Sequence, residues 1–407
     1  MPVQEDIIKI NRKKKQQYDA TQKALKFLKY LGITILVFTI AFVGVLSGVH
    51  YFQTQAEIKS LTESGFYNPI NVSNNQTINA ILHGNADSAY TIVPIHDIGD
   101  EDFNIAMKSM LEPLEHTLQY ALINRPGHGF SEDTNTSRTA LEIIQEYRQV
   151  IKKMNVENKL ILVANGFGGT YATYWANEYP DEIAGIIYIG FEDYVGEFKG
   201  TEANTSSQFN ILSCKIGLKR FSNFDYLRTK CNLLDNADSD VLKSMYVHSC
   251  YTKARNAEIS MAEKNYQSVF AGNNNTTKVF VASQGGFDTR DDVVKFLKFK
   301  NKQNESLGIG EIVDLSNTSS EKKIEEIISL STKTFTSNKV DFVNKTSNCI
   351  ITKIPGEPKV YRYNPYAVQD LIKDFSLYVN GNITKLKEVY TDTHAEGWEQ
   401  HQQQSEK

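Results

Sequence analysis

The sequence has few of the features that mark metalloproteins, nucleotide-binding proteins and nucleic-acid-binding proteins. It contains four cysteines in 407 residues, and none lies in a C-x-x-C pair or at a metal-ligand spacing from histidine. It contains no G-x-G-x-x-G and no Walker-type loop. Its formal net charge of −4 argues against a surface that binds nucleic acid. We therefore expect no metal site, no cofactor and no nucleic-acid partner.

Cysteine and asparagine usage leaves the compartment and the host open. In an oxidising compartment, Cys214, Cys231, Cys250 and Cys349 would form one or two disulfides, and the first three lie close together in sequence. In a reducing compartment they would be buried thiols. Ten N-x-S/T sequons occur, about twice the number that the composition would give by chance. This excess fits a glycosylating secretory route, but an AT-rich bacterial genome also raises the asparagine content.

Charge and hydropathy are distributed unevenly at the N-terminus. The first 29 residues carry eight Lys or Arg side chains against three acids. The next twenty, "YLGITILVFTIAFVGVLSGV", carry no charged side chain and would form a helix about 30 Å long, the thickness of a bilayer core. We predict a retained membrane helix, with the basic N-terminus in the cytoplasm and the remaining chain outside it. A cleaved secretion signal is the alternative, but both segments are long for one and no clear A-x-A-type site follows.

Beyond the predicted span, short β-like runs alternate with helical patterns. This alternation is typical of an α/β fold, in which helices cover both faces of a mostly parallel sheet. The alternation lapses in the middle of the chain, where three of the four cysteines lie, and we interpret that region as an inserted cap. The predicted organisation is 1–29 cytoplasmic basic segment, 30–50 transmembrane helix, 51–75 juxtamembrane linker, 76–191 first part of the core, 192–275 cap, 276–385 second part of the core and 386–407 polar tail.

The hydrophobic periodicity predicts the individual core elements. "KLILVAN" is a continuous apolar run of the kind found in central parallel strands, which are buried on both faces. Residues 139–154 instead place Ala140, Ile144 and Tyr147 on one face at helical spacing. "NPYAVQDLIKDFSLYV" has a similar apolar stripe and predicts a core-facing helix near the C-terminus.

Three segments of the chain resemble the α/β-hydrolase family. "TIVPIH", ending in His96, resembles the strand that leads to the oxyanion loop, and "INRPGHGFS" resembles the family's D-R-P-G-H-G-x-S turn. "ILVANGFGGTYATYWANEYPDEIAGIIYIG" resembles the nucleophile-bearing turn with its helix and the following strand. The resemblance spans residues 78–379 and implies an α/β-hydrolase fold. With its anchor, the chain is similar to membrane-tethered hydrolase-like proteins of low-GC Gram-positive bacteria.

The nucleophile position departs from the family pattern. Family enzymes carry a serine at the centre of a strained G-x-S-x-G turn, followed along the chain by an acid and a histidine. Here A-N-G-F-G occupies the five positions, so Gly166 stands at the place of the serine. Glycine has no oxygen, sulfur or carboxylate with which to attack an acyl group. It also adopts the turn conformation freely, which costs other residues about 1–3 kcal/mol.

The histidine position departs as well. The resemblance places it at Pro358 in "IPGEPKVYRYNP", beside Lys359. No histidine occurs between His248 and His394, so a shifted alignment does not supply the base. Asp288, in "SQGGFD", fits the place of the acid, with Asp291 and Asp292 close by, but loop aspartates more often serve as turn or cap residues.

The resemblance implies an oxyanion hole near Phe167 and Asp97. Family members often have glycine at the position after His96, where this chain has Asp97. A carboxylate there would repel a developing oxyanion, so we expect Asp97 to turn away or to bond locally. Both His96 and His128 lie on segments that border the pocket in the family, so either one could act as a base on water.

These observations leave three functional hypotheses. The favoured one is a membrane-tethered protein that has lost its triad and binds a small-molecule or protein ligand. The alternative is an active hydrolase of esters, amides or lipids with an unorthodox site around His96, His128 and Asp288. A purely structural surface protein is the third. Aromatic residues of the cap either line an apolar pocket or pack the cap on the core; they are Phe191, Tyr194, Phe198, Phe209, Phe221, Phe224 and Tyr226.

Overall fold

The computed structural model describes most of the chain. The described residues are 2–73, 76–100, 102–190, 205–222, 236–270, 279–284, 286–287, 289–306, 313–315, 317, 320–332, 349–356 and 359–391. Of the residues singled out above, Asp288, Pro358 and Cys231 lie outside this set, as do most of the aromatic residues of the cap and most of the polar tail.

A single long helix, α1 (Pro2–Glu63), begins the chain. It contains the predicted span and is long and apolar enough to cross a membrane. Side chains of the span such as Phe38 and Phe42 are exposed. The region 51–75, expected to be a linker, instead continues α1 to Glu63 and then forms a short strand, β1 (Pro69–Asn71). The helix continues because the apolar side chain of Leu61 is buried against the folded domain.

Among the described residues, eight strands form one mostly parallel sheet, as predicted. Strand β1 is followed along the chain by β2 (Thr77–Gly84), β3 (Tyr90–Ile95), β4 (Gln119–Ile123), β5 (Lys159–Asn165), β6 (Ile183–Ile189), β7 (Val279–Gln284) and β8 (Cys349–Lys353). The spatial order is β1-β2-β4-β3-β5-β6-β7-β8. Strand β2 runs antiparallel to β1 and β4, and all other neighbours pair in parallel.

Helices cover both faces of the sheet, as predicted. The described core helices are α2 (Asp102–Leu111), α3 (Ala140–Lys153), α4 (Gly168–Glu178), α8 (Arg290–Ser306), α9 (320–332) and α10 (Pro365–Val379). One hydrophobic cluster packs α3 and α4 on one face, and a second packs α2 and α10 on the other. A capping box between Thr139 and Glu142 begins α3, where each side chain satisfies a backbone N–H of the other residue.

The region predicted as a cap contains three described helices, α5 (Gln208–Lys215), α6 (Asn236–Ser249) and α7 (Lys253–Phe270). The last of them is fixed to the core, because Ala262 and Tyr266 belong to the hydrophobic cluster around α3 and α4. Cys214 on α5 and Cys250 after α6 are buried thiols with their sulfur atoms 3.5 Å apart.

Candidate functional site

The turn between β5 and α4 has the sharp strand–turn–helix geometry that the sequence predicts. Gly166 has a φ of +51°, in the left-handed region that glycine adopts without strain. Gly168 lies directly on the end of β3. A Cβ at Gly168 would overlap the carbonyl oxygen of Ile95 and lie 2.8 Å from that of His96, so only glycine fits there. The turn therefore keeps the architecture of a nucleophile elbow.

The carboxylate of Asp97 lies where a side chain on residue 166 would extend. A Cβ added to Gly166 would overlap the Asp97 carboxylate and lie 2.8 Å from its Cβ. Asp97 does bond locally, since its Oδ1 accepts the backbone N–H of Ile98 at 2.8 Å. It does not turn away, because the same oxygen also accepts the backbone N–H of Phe167 at 2.9 Å. Of the two outcomes expected for Asp97, local bonding is therefore the one that the structure has.

The two N–H groups on Asp97 come from the two places where α/β-hydrolases have the donors of their oxyanion hole. In α/β-hydrolases this hole is formed by the N–H after the nucleophile and an N–H from the loop after β3. Phe167 follows Gly166, and Ile98 lies in the loop between β3 and α2. Both groups converge on Oδ1 of Asp97, so a carboxylate oxygen of the chain itself fills the position that an oxyanion would take.

Lys359 extends to this site from the segment after β8. Its Nζ lies 3.2 Å from Oδ2 of Asp100 and 4.0 Å from Oδ2 of Asp97. Burial acts to lower the pKa of Lys359, but the neighbouring Asp100 carboxylate raises it, and the net shift is upward. Burial raises the pKa of Asp97, while Lys359 acts in the opposite direction. Lys359 therefore keeps its proton and neutralises part of the acidic charge.

Further charged residues join Lys359 to the underlying core. Arg362 contacts both Asp100 and Asp102, with Nε 2.8 Å from Oδ2 of Asp102. Tyr361 donates its hydroxyl to Asp100 at 2.8 Å, and Asn165, the last residue of β5, donates to the same carboxylate at 2.9 Å. We call Asp97, Asp100, Asp102, Lys359 and Arg362 the elbow network. It holds the segment after β8 against the loop after β3.

His96 and His128 belong to a second buried cluster, with ring centroids 5.0 Å apart. Nδ1 of His96 lies 2.7 Å from the backbone oxygen of Asp97, which can only accept, so Nδ1 carries the proton. Its Nε2 has no hydrogen-bond partner among the described residues. Burial and the charge of Arg125 lower the pKa of both histidines well below its ordinary value. Both imidazoles are therefore neutral near neutral pH and are weak proton acceptors.

Glu258 of α7 supplies the negative charge beneath these histidines. It is fully buried and accepts hydrogen bonds from Arg125 at 3.0 Å and from Arg138 at 3.1 Å. Burial alone would raise the pKa of Glu258, but Arg125 and Arg138 lower it overall. Arg125 also donates to the carbonyl oxygen of His96 at 2.8 Å, so α7 is linked through Arg125 to the loop that carries Asp97.

The structure brings together some of the residues that the sequence predicts and adds others. Gly166, Phe167 and Asp97 meet at one point, with Lys359 beside them. Asp288 and Pro358 lie outside the described residues. The sequence interpretation missed the other three members of the elbow network, Asp100, Asp102 and Arg362. In the sequence they are marked only by an acidic run after β3 and by a pair of basic residues after β8. Within the described ranges, no group of three or more His, Cys, Asp or Glu side chains is placed to hold a metal ion.

Comparison with known proteins agrees with this geometry. Residues 81–211, which include the elbow and the loop after β3, match the family model for the alpha/beta hydrolase fold. The chain has an α/β-hydrolase fold. The chain is similar to the uncharacterized protein YbdG of Bacillus subtilis (strain 168). The two are 24% identical over 205 residues, which are 49% of this chain and 60% of YbdG.

The chain is also similar to two other proteins. The abhydrolase domain-containing protein abhd-5.2 of Caenorhabditis elegans is 34% identical over 132 residues, which are 30% of this chain and 28% of that protein. This α/β-hydrolase-fold chain thus spans less than two thirds of both curated relatives. A solved membrane phospholipase A superposes with a TM-score of 0.47 at 15% identity, covering 85% of this chain and 98% of the phospholipase chain.

Proposed function

We propose that this protein is a membrane-tethered α/β-hydrolase-like protein that does not catalyse acyl transfer and instead binds a small-molecule or protein ligand. The observation that carries the proposal is the position of Asp97. Its carboxylate fills the space of the missing serine side chain and accepts both backbone N–H groups of the oxyanion hole.

Electrostatics at the elbow oppose catalysis. Acyl transfer develops negative charge on the carbonyl oxygen, and the oxyanion hole accelerates the reaction by stabilising that charge. Here Phe167 and Ile98 already donate to Asp97. A substrate carbonyl would have to displace this carboxylate, and its developing charge would be repelled by the charge of Asp97.

The proposal is also supported by the lack of a proton carrier. Pro358 stands at the histidine position, and the sequence contains no histidine between His248 and His394. The neighbouring Lys359 keeps its proton, since its pKa is raised, and an ammonium group cannot accept another. His96 and His128 are neutral, but their lowered pKa makes both of them poor bases.

The proposed location follows from the N-terminal segment. Helix α1 carries eight basic side chains before residue 30 and an uncharged run of bilayer length after it. Basic residues before a span favour the cytoplasmic side, so the proposal places the N-terminus in the cytoplasm and the folded domain outside it. In this location the domain would meet its ligand at the outer face of the membrane.

One observation favours the alternative, an active hydrolase with an unorthodox site. Nε2 of His96 is buried, carries no proton in the tautomer described above and has no hydrogen-bond partner among the described residues. A water molecule beside it would have a possible acceptor for its proton. In this alternative Asp288 and His128 would support His96, although Asp288 is not among the described residues.

Hydrolysis of short-chain nitrophenyl esters by the full-length protein in detergent micelles separates the two functions. We expect the rates of the wild type and of His96→Ala to equal that of buffer with micelles alone. Turnover that His96→Ala abolishes would establish the alternative. His83→Ala is the matched control, because His83 lies on β2, away from the elbow network, with its Nδ1 3.8 Å from Oε1 of Glu115.

A further inference from the structure

The C-terminal part of α1 is held to α5 and α6 of the predicted cap by a set of polar contacts. Arg220, in the short turn Leu218–Phe221 after α5, donates to His50 Nδ1 at 2.8 Å, Thr54 at 3.1 Å and Glu57 at 2.9 Å. His248 at the end of α6 lies 3.2 Å from Glu57. We call these five side chains the anchor clamp. The clamp fixes the position of α5 and of the turn after it along the axis of α1, relative to the predicted span.

This position coincides with the end of the predicted span. His50 directly follows the twenty-residue uncharged run, and a Cβ added to Gly217 would lie 2.5 Å from the Cβ of His50. Within the run, Leu46 is only 8% exposed whereas Val45 is 66% exposed. A lone helix cannot bury Leu46, so the folded domain covers one face of α1 about one helical turn, roughly 5 Å, inside the predicted span.

Large apolar side chains are exposed on this same part of the cap. Phe209 is 70% exposed and Leu212 55% exposed, three residues apart on one face of α5. Phe221, in the turn that carries Arg220, is 72% exposed, and Leu218 is also exposed. We call these four residues the cap patch. Phe209 and Phe221 do not pack the cap on the core, because neither side chain is buried.

We propose that the cap patch inserts into the outer interface of the membrane that α1 crosses. Apolar side chains in an interfacial helix lie at the boundary between headgroups and acyl chains, with basic residues beside them. Lys215 and Lys219 lie in the same segment as the patch. The lipid surface would remove from water the side chains that the domain leaves exposed. This inference rests on the membrane anchor of the proposed function.

Tryptophan substitution and quenching by brominated lipid test the insertion. Phe209→Trp and Phe221→Trp are made separately in the full chain, which is reconstituted into vesicles of phosphatidylcholine and phosphatidylglycerol. Glu157→Trp is the control. Glu157 is exposed and precedes β5, so it lies near the end of this strand that is opposite to the elbow. The wild-type chain, with its buried Trp175 and with Trp398 in the polar tail, gives the background emission.

The outcomes separate the insertion from the anchor. Flotation of the protein with the vesicles is measured first, and a chain that does not float overturns both. For a floating chain, we expect phosphatidylcholine brominated near the headgroup end of its acyl chain to reduce the added emission of Phe209→Trp and Phe221→Trp but not that of Glu157→Trp. If the emission of each of the three variants is the same with and without bromine, the insertion is overturned and the anchor is left intact.

Discussion

The carboxylate of Asp97 occupies the space that a side chain on Gly166 would need, and it is held there by the N–H of Phe167 at 2.9 Å. The two departures from the family pattern are therefore coupled. A serine at position 166 would collide with Asp97, and a glycine at position 97 would leave the N–H groups of Phe167 and Ile98 without this acceptor. Glycine at 166 and aspartate at 97 fit each other.

Glu258→Gln should strongly destabilise the fold. The change removes the buried charge that compensates Arg125 and Arg138. Loss of one partner of a buried ion pair typically costs about 3–5 kcal/mol. Thermal unfolding of the full chain in micelles should show a clear fall in Tm. Glu263→Gln is the matched control on the same helix, because Glu263 is exposed, and its Tm should stay at the wild-type value. Equal Tm values for the two variants would contradict this role of Glu258.

The anchor clamp should open in acid. Burial acts to raise the pKa of Glu57, but the hydrogen bonds from Arg220 and His248 lower it overall to about 2. A lowered pKa means that the clamp contributes fully above about pH 4.5, the ordinary value, and loses its contribution as the pH falls towards 2. Hydrogen exchange of the 208–221 amides, corrected for intrinsic rates, should accelerate over this range.

Arg220→Ala should produce the same acceleration at neutral pH, because it removes every contact that Arg220 makes with α1. Lys219→Ala is the neighbouring control, since Lys219 contacts the ring of Tyr251 rather than α1. Unchanged exchange in Arg220→Ala would show that the polar contacts do not hold α5 and the turn after it to α1.

The core elements could be predicted from the sequence because their signals are local. The apolar run of β5 and the helical stripe of α3 each lie within one short segment. The glycines at 166 and 168 also fall within one short motif. The continuation of α1 to Glu63 was missed because residues 51–63 are largely polar. Burial of Leu61 requires α6, which lies far along the chain.

The charged residues of the site were harder to predict because their partners lie far away in the sequence. Arg362 binds Asp102 across 260 residues, and Glu258 binds Arg125 across 133. No spacing in the sequence marks such pairs, because only the tertiary fold brings them together. The orientation of Asp97 depends on where the N–H of Phe167 points, which is a property of the folded elbow.

The proposed topology predicts the result of protease treatment. Protease added to intact cells should remove the folded domain and leave the basic N-terminal segment, detected by an N-terminal tag, protected inside. The reason is that the basic residues before the span favour its cytoplasmic end. Full protection of the domain in intact cells, together with digestion after permeabilisation, would show the opposite orientation.

The most direct test of the account is labelling of the elbow by a serine-directed fluorophosphonate. Gly166→Ser alone should remain unlabelled, because the new side chain meets the Asp97 carboxylate and Pro358 stands at the expected place of the base. Gly166→Ser combined with Asp97→Gly and Pro358→His should recover a trace of labelling, since it restores the nucleophile, the oxyanion hole and the proton carrier together. Strong labelling of Gly166→Ser alone would contradict the account, because it would reveal both an open oxyanion hole and a functioning base.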